Sequence, residues 1–450
     1  MTRILWFRRD LRLQDNPLLS LGGEVFPIFI FDTNILHGLK EDDRRVSFIF
    51  SHVLELKKGL QVKGLDLRIF FAEPLDVFLS LSKLGFDEVA ASGDYDSYAR
   101  ERDREVSHIM PFNYLHDTYI FRPEEVLKGD KTPYLVFTPF YKKAKALMRS
   151  SHSKRFSFLR QELYKTDYEG ILKLEKDKKT ILATRLEAMG FTPVHIRTKA
   201  PYRLLGDLDL HNYDKNKDIP ILEATSGLSL HLRFGTLSIR EVLRFLTKQK
   251  RSGVPTEAFF RQLIFRDFYA YLLYHFPRIE KENYKYRFHG VPDEKRYKAF
   301  CEAKTGVPII DAGVNELLQT GSMHNRVRMI CASFFTKDLL LPWQWGEAFF
   351  AEHLLDYDAA SNILSWQWSA GTGIDPQPYF RIFNPYLQSR KFDKDARYIK
   401  HFCPVLADVD PKLLHDEEAL FKNTIPDYPK PILLHKEAAK KALESFKKAL

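Results

Sequence analysis

The sequence predicts an α/β unit built on a parallel sheet, followed by an all-α region. Two observations carry that fold class. Up to Ile109, short apolar runs alternate with stretches of helical spacing, and strands alternating with helices imply a parallel sheet covered on both faces. From about His195 the strand-like runs stop, and long helical patterns marked off by Pro and Gly replace them.

The first strand is residues 4–7 (ILWF), and the charged run RRDLRLQDNP follows it. The second is 25–31 (VFPIFIF). A helix is predicted over 42–60, where Val46, Ile49, Val53, Leu56 and Leu60 fall on one stripe. A third strand, 67–71, precedes a helix at 74–84 that opens on Pro74, a residue suited to a first turn. The fourth strand is 88–91, and a charged helix follows at 97–109. No GxGxxG follows the first strand and no GxxxxGK[ST] occurs, so the usual dinucleotide and P-loop fingerprints are missing. A pocket at the sheet's switch point is still compatible with such a unit. Residues 149–191 turn polar (RSSHSKRFS, KLEKDKKT) and read as linker. The expected division is 1–130, a linker over 131–194, and a helical domain over 195–450.

Hydrophobic residues make up 44% and charged residues 28%, the balance of a soluble globular protein. The aromatic share of 14% suits a large core or flat surfaces that stack on rings. The net charge of +10 favours an anionic partner, nucleic acid or a phosphate-rich ligand. Cys301, Cys331 and Cys403 show no CxxC spacing. That argues against a disulfide framework, and the ligand count excludes zinc ribbons and four-Cys iron–sulfur clusters. The start, MTRILWFRRDLRLQDN, is too charged for a signal peptide, and no apolar run reaches the length of a membrane span. A cytoplasmic location is expected.

Four stretches mix chemistry-bearing residues, and each has a bland reading beside the functional one. Thr225–Ser229 (TSGLS), with Tyr213 upstream, offers hydroxyls and amides at a helix start; it is a phosphate site or a plain N-cap. In FFRQLIFRDFYAYLLYHFP, Gln262, Phe265, Arg266 and Tyr269 share one helical face, which is a site or ordinary core. In TGSMHNRVRMI, Ser322 is a candidate cap, and Asn325, Arg328 and Met329 lie on one face. His324 has no second His at i+4, so it reads as a satisfied His rather than a ligand. In DYDAASNILSWQW, Asp356 and Asp358 are paired carboxylates for acid/base work, or partners of Arg328 and a helix cap. GxSxG and HExxH are absent.

Taken in order, WFRRDLRLQDNP, TSGLSLHLRFGTLS, FRDFY, KTGVPIIDAG, TGSMHNRVRMI and WQWSAGTGIDPQPYFRIFNP resemble the cryptochrome/photolyase family over essentially the whole chain. The resemblance is to its class I cyclobutane pyrimidine dimer DNA photolyases. It implies an N-terminal Rossmann-like α/β antenna domain and a C-terminal all-α FAD-binding domain. It implies light-driven dimer repair by reduced FAD, without a metal, on single- or double-stranded damaged DNA, by a monomer. The implied FAD contacts are Tyr213, Thr225, Ser226, Leu228, Ser229, Arg328, Glu347, Asp356, Asp358 and Asn362. Arg328 would pair with Asp356, and Asn362 would face flavin N5. Gln262, Asn325 and Met329 are the implied catalytic residues. Phe265 and Trp368 are implied to stack on the flipped lesion, with Arg266, Lys217, Arg381 and Lys391 on DNA.

Trp366 and Trp343 match two members of the family's electron chain, and the third falls on Gly290; either Tyr297, Tyr286 or Trp345 would substitute, or photoreduction would be slow. Phe265 stands where these photolyases usually carry Trp, and Gln262 where they carry Glu. Asn325 and Met329 stand where (6-4) photolyases carry a His pair, which argues against that lesion. Tyr98 and Ala99 replace the pair that holds a folate, so the antenna is a deazaflavin, a flavin or nothing. The alternative function is a blue-light photoreceptor of cryptochrome type, with FAD and no repair. The absence of a long tail after YPKPILLHKEAAKKALESFKKAL weighs against it.

Overall fold

The computed structural model describes residues 1–166, 181–182 and 185–449. It divides into two compact units: Met1–Val126, Lys143–Asp207 and Ser226–Thr256 in the first; Leu127–Lys142, Leu208–Thr225 and Glu257–Leu450 in the second.

The first unit is built on a sheet of strands β1 (Thr2–Phe7), β2 (Gly23–Asp32), β3 (Arg68–Ala72), β4 (Glu88–Ser92), β5 (Phe112–Leu115), β6 (Gln161–Leu163) and β7 (Ile181–Leu182). Their order is β5-β4-β1-β2-β3-β7, with β6 on the start of β2. Every pairing is parallel except β3 with β7. Ile4 sits opposite Phe26 on one side and Val89 on the other, so the central strands bury both faces, as their unbroken apolar runs require. Helices α1 (Arg44–Val62), α2 (Pro74–Leu81) and α3 (Ser97–Ile109) link the strands. Helix α1 starts two residues later than its pattern suggests because Asp43 takes the N-cap, accepting from the Arg45 amide at 2.8 Å. Helix α2 ends early: Ser82–Leu84 tighten into a 3-10 turn that stops at the left-handed Gly85. Ile4, Trp6, Ile28, Phe70, Phe78 and Val89 belong to its core.

The run RRDLRLQDNP has a structural reason. Asp117 receives Arg12 at 2.5 Å and Arg240 at 2.6 Å, and Asp15 receives Arg240 at 3.0 Å and Arg244 at 2.6 Å. Burial alone would raise the Asp117 pKa, but the two guanidinium groups hold it at about 2. Asp10 accepts from Ser92 Oγ at 2.7 Å and the Arg8 amide at 2.8 Å. Strands β5, β6 and β7 have no counterpart in the sequence reading; they are two to four residues long, and β5 and β6 are only partly apolar. The KLEKDKKT run lies outside the described residues.

The second unit is helical. Helix α4 (Phe137–Leu147) begins in it, and α5 (Glu257–His275), α6 (Asn325–Ser333), α7 (Trp343–His353), α8 (Ala359–Ala370) and α9 (His435–Ala449) follow. Helices α5, α6 and α7 all pack on α8. The buried stretch Phe334–Asp338 continues α6 as one π-turn. No described helix is long and apolar enough to cross a membrane.

Candidate functional site

The densest set of predicted residues lies in the second unit around α8. Arg328 on α6 pairs with Asp356 at 3.1 Å, as expected. Asp358 takes the cap of α8, accepting from the amide and hydroxyl of Ser361 at 3.0 Å each. One carboxylate thus pairs with an Arg and the other caps a helix. Asn362 donates its amide to the Glu347 carboxyl at 2.9 Å. That bond fixes the amide, so the Asn362 carbonyl is the end offered away from Glu347. Burial raises the Glu347 pKa against the hydrogen bonds from Asn362 and Tyr357.

Trp366 is fully buried in an aromatic cage, edge-on to Phe335 at 5.4 Å and to Phe350 at 4.9 Å. Gly346 is required beside it: a Cβ there would collide with the Trp366 ring. The buried Trp366 Nε1–H finds no acceptor among the described residues. Trp343 starts α7 and donates to Asn283 Oδ1 at 2.8 Å. Gly290 has φ +70, and a Cβ there would lie 2.6 Å from the Leu341–Pro342 backbone, so no side chain fits. Of the three proposed substitutes, Tyr297 and Trp345 form an edge-to-face pair at 5.2 Å, and Tyr297 reaches Phe335 at 6.2 Å. Tyr286 packs on Tyr379 instead.

Trp368, two residues beyond Trp366, is half-buried. Phe265 on α5 is also half-buried, while Gln262 beside it is exposed. Phe137 covers one face of Phe265, stacked at 3.4 Å and 8°. Asn325 opens α6 exposed, with its amide 3.7 Å from Met329 Sδ. The cap of α6 is His324, not Ser322: its Nδ1 accepts from the Arg326 amide at 3.2 Å. Arg381 is exposed, and its carbonyl accepts from the buried Lys337 Nζ at 2.9 Å. Lys391 lies over Phe392, Arg266 is half-buried on α5, and Lys217 pairs with Asp214.

Tyr213 is buried edge-on to Phe259 at 5.3 Å, and Thr225 is exposed. In the first unit, the Ser226 hydroxyl accepts from the Leu228 amide at 3.3 Å, and Gly227 takes φ +62. Ser229, exposed, starts a six-residue helix, Ser229–Phe234, that has no side-chain cap. At the strand ends of this unit, Tyr98 donates to Asp32 at 2.7 Å and the Ala99 amide donates to Asp96 at 2.8 Å. Sequence reasoning missed Phe137, Arg261, Phe335, Gly346 and Asp375; nothing local in TPYLVFTPF or GTGIDPQP marks a contact so distant in the chain.

Taken unit by unit, the donors suit the parts of FAD. In the second unit, carboxylates suit ribose, and an oriented amide and a buried indole N–H without an acceptor among the described residues suit a polar ring; in the first, the Ser226 hydroxyl and the left-handed Gly227 suit phosphate. Residues 259–448 match the model described as the FAD binding domain of DNA photolyase, and 3–157 match DNA photolyase. The chain is 33% identical to the deoxyribodipyrimidine photo-lyase of Alkalihalophilus pseudofirmus, over 99% of this chain and 98% of that one. The class III photolyase of Agrobacterium tumefaciens superposes with a TM-score of 0.84 at 29% identity, covering 100% of this chain and 97% of that one. An archaeal photolyase from Sulfolobus tokodaii, solved with two FAD molecules, gives 0.81 at 30% identity and covers both chains fully. With both family models matched and curated relatives followed over nearly their full length, the chain belongs to the DNA photolyase family.

Proposed function

We propose that the chain repairs cyclobutane pyrimidine dimers in DNA under light. The observation that carries the reading is its near full-length likeness to deoxyribodipyrimidine photo-lyases, joined to a half-buried Trp368 on the helix that carries the buried Trp366. Bound FAD in its reduced form would supply light-driven one-electron chemistry able to open the cyclobutane ring. Tyr213, Thr225, Ser226, Leu228 and Ser229 bind its pyrophosphate; Arg328, Asp356 and Asp358 bind ribose and flavin edge; Glu347 orients Asn362 toward the flavin.

Trp368 and the exposed part of Phe265 stack on the extruded dimer, where each base stack is worth about 1–3 kcal/mol. A damaged, poorly stacked pair costs least to flip, which selects lesions over normal DNA. Gln262 donates a hydrogen bond to a base carbonyl but holds no transferable proton. Asn325 and Met329 line the dimer's other side. Arg266, Lys217, Arg381 and Lys391 meet backbone phosphates, consistent with the +10 charge. Trp366 and Trp343 on α7 would relay an electron to bound FAD, with Phe335, Tyr297 and Trp345 as ring neighbours of Trp366 in sequence of contact. A second chromophore in the α/β unit would add light harvesting, and its class is read from the absorption of the purified protein.

The test is repair itself. Photoreduced protein is illuminated with an oligonucleotide carrying one thymine dimer, and dimer loss is followed. Loss of the dimer in light and not in darkness is the predicted result. Tightly held flavin with no loss of the dimer would overturn repair and leave the photoreceptor reading.

A further inference from the structure

Phe137 is the tightest ring partner in the second unit. It lies flat on Phe265, with centroids 3.4 Å apart and planes 8° from parallel. The Arg261 guanidinium sits beside this pair, 4.8 Å from the Phe137 ring, 5.7 Å from Phe265 and 5.1 Å from Tyr141. Tyr141 in turn donates to Glu257, at the start of α5. Phe137 is buried, while Phe265 keeps part of its surface exposed. So one face of Phe265 is taken and its orientation is held from behind; Tyr269 stands tilted to the ring at 6.2 Å, and the part of Phe265 still exposed is what a ligand ring can meet.

The Phe137 backbone makes a second attachment. Phe137 is the first residue of α4, so its N–H has no partner within the helix. That N–H donates to Asp375 Oδ2 at 2.8 Å. Asp375 lies in the loop that leaves α8 just after Trp368. One residue therefore touches Phe265 with its ring and the Trp368 side with its backbone.

We propose that Phe137 is a positioning residue for lesion recognition: it sets the plane of Phe265 and, through Asp375, its registry with the segment that carries Trp368. Resting on the dimer-repair reading above, the inference explains how a phenyl ring serves where a larger indole is usual. Phe265 does not act as a lone ring but as the outer layer of a fixed two-ring wall.

The experiment uses the full-length FAD-loaded protein and four variants: Phe137→Leu, Phe137→Met, Asp375→Ala and Asp375→Asn. Leu and Met keep apolar bulk and lose the flat ring; Asn keeps an acceptor for the Phe137 N–H, and Ala removes it. Affinity for a thymine-dimer oligonucleotide and for its undamaged twin is measured, with repair per absorbed photon at saturating oligonucleotide. Phe137→Leu, Phe137→Met and Asp375→Ala should each lose roughly tenfold in preference for the dimer, a part of one base stack. Asp375→Asn should retain it. Undamaged-DNA affinity and repair at saturation should hold, which separates positioning from a general loss of structure. If Asp375→Ala and the Phe137 variants discriminate as the parent does, or if Asn fails to rescue, the inference is overturned. A parent protein with no preference for the dimer would instead count against the repair reading on which the inference rests.

Discussion

Two aromatic regions of the helical unit are built on opposite rules. Around Trp366 the rings meet edge-on, at 80° to Phe335 and 76° to Phe350, and the indole is wholly buried. At Phe265 the contact is face to face at 8°, and the ring keeps surface exposed. Edge-on packing around Trp366 fixes a ring on several sides and excludes water, which suits a residue that passes charge. Face-to-face packing backs a ring on one side only, which suits one that must receive a flat ligand. Trp366 and Trp368 stand two apart on α8 and fall on either side of this divide. Composition alone cannot separate such uses, because both draw on the same residue types.

The buried side is the easier one to break. Gly346→Ala places a methyl against the Trp366 ring, which Phe335 and Phe350 prevent from moving away. A cost of about 1–3 kcal/mol is expected, the range for overpacking a filled core. Chemical denaturation measures it, and affinity for DNA should change little, because Trp368 and Phe265 are untouched.

A smaller effect sharpens the open side. His324 caps α6, the helix that carries Asn325 and Met329, through a neutral Nδ1. Burial pushes its pKa down to about 4, against the Asp218 charge. The unfolded ring titrates near its ordinary value of 6.5. Between these two values the unfolded chain takes up a proton that the fold refuses, so this group's contribution is full above pH 6.5 and is lost as pH falls toward 4. His324→Ala should cost about 1 kcal/mol at neutral pH, the usual worth of an N-cap. The gap between parent and variant should narrow in acid, and urea melts across that window check it.

Much of the α/β unit was legible because its strands are buried on both faces and advertise themselves as unbroken apolar runs. Val46, Val53, Leu56 and Leu60 on α1 are buried as their spacing requires, while Ile49 is only half-buried. The edge strands were not legible: Gln161–Leu163 has no apolar run and exists because Gly23–Val25 offers it a ladder. At the site, the capping Asp358 follows from residue type and spacing, whereas the Arg328–Asp356 pair joins residues 28 apart and was implied by the family resemblance. Phe137 does not, because its partners Phe265 and Asp375 lie 128 and 238 residues away and only the fold brings them together. Ser322 failed as the cap for a local reason, since His324 supplies the acceptor two residues later.

The proposed division of labour between the two indoles is tested most directly by measuring flavin photoreduction and dimer repair side by side in Trp366→Phe and Trp368→Ala. Trp366→Phe should photoreduce poorly yet repair the dimer once its flavin is reduced chemically. Trp368→Ala should photoreduce like the parent and lose dimer affinity by about 1–3 kcal/mol. If both variants lost both properties together, or if Trp366→Phe photoreduced at the parent's rate, the two rings would not serve separate partners and this account would be wrong.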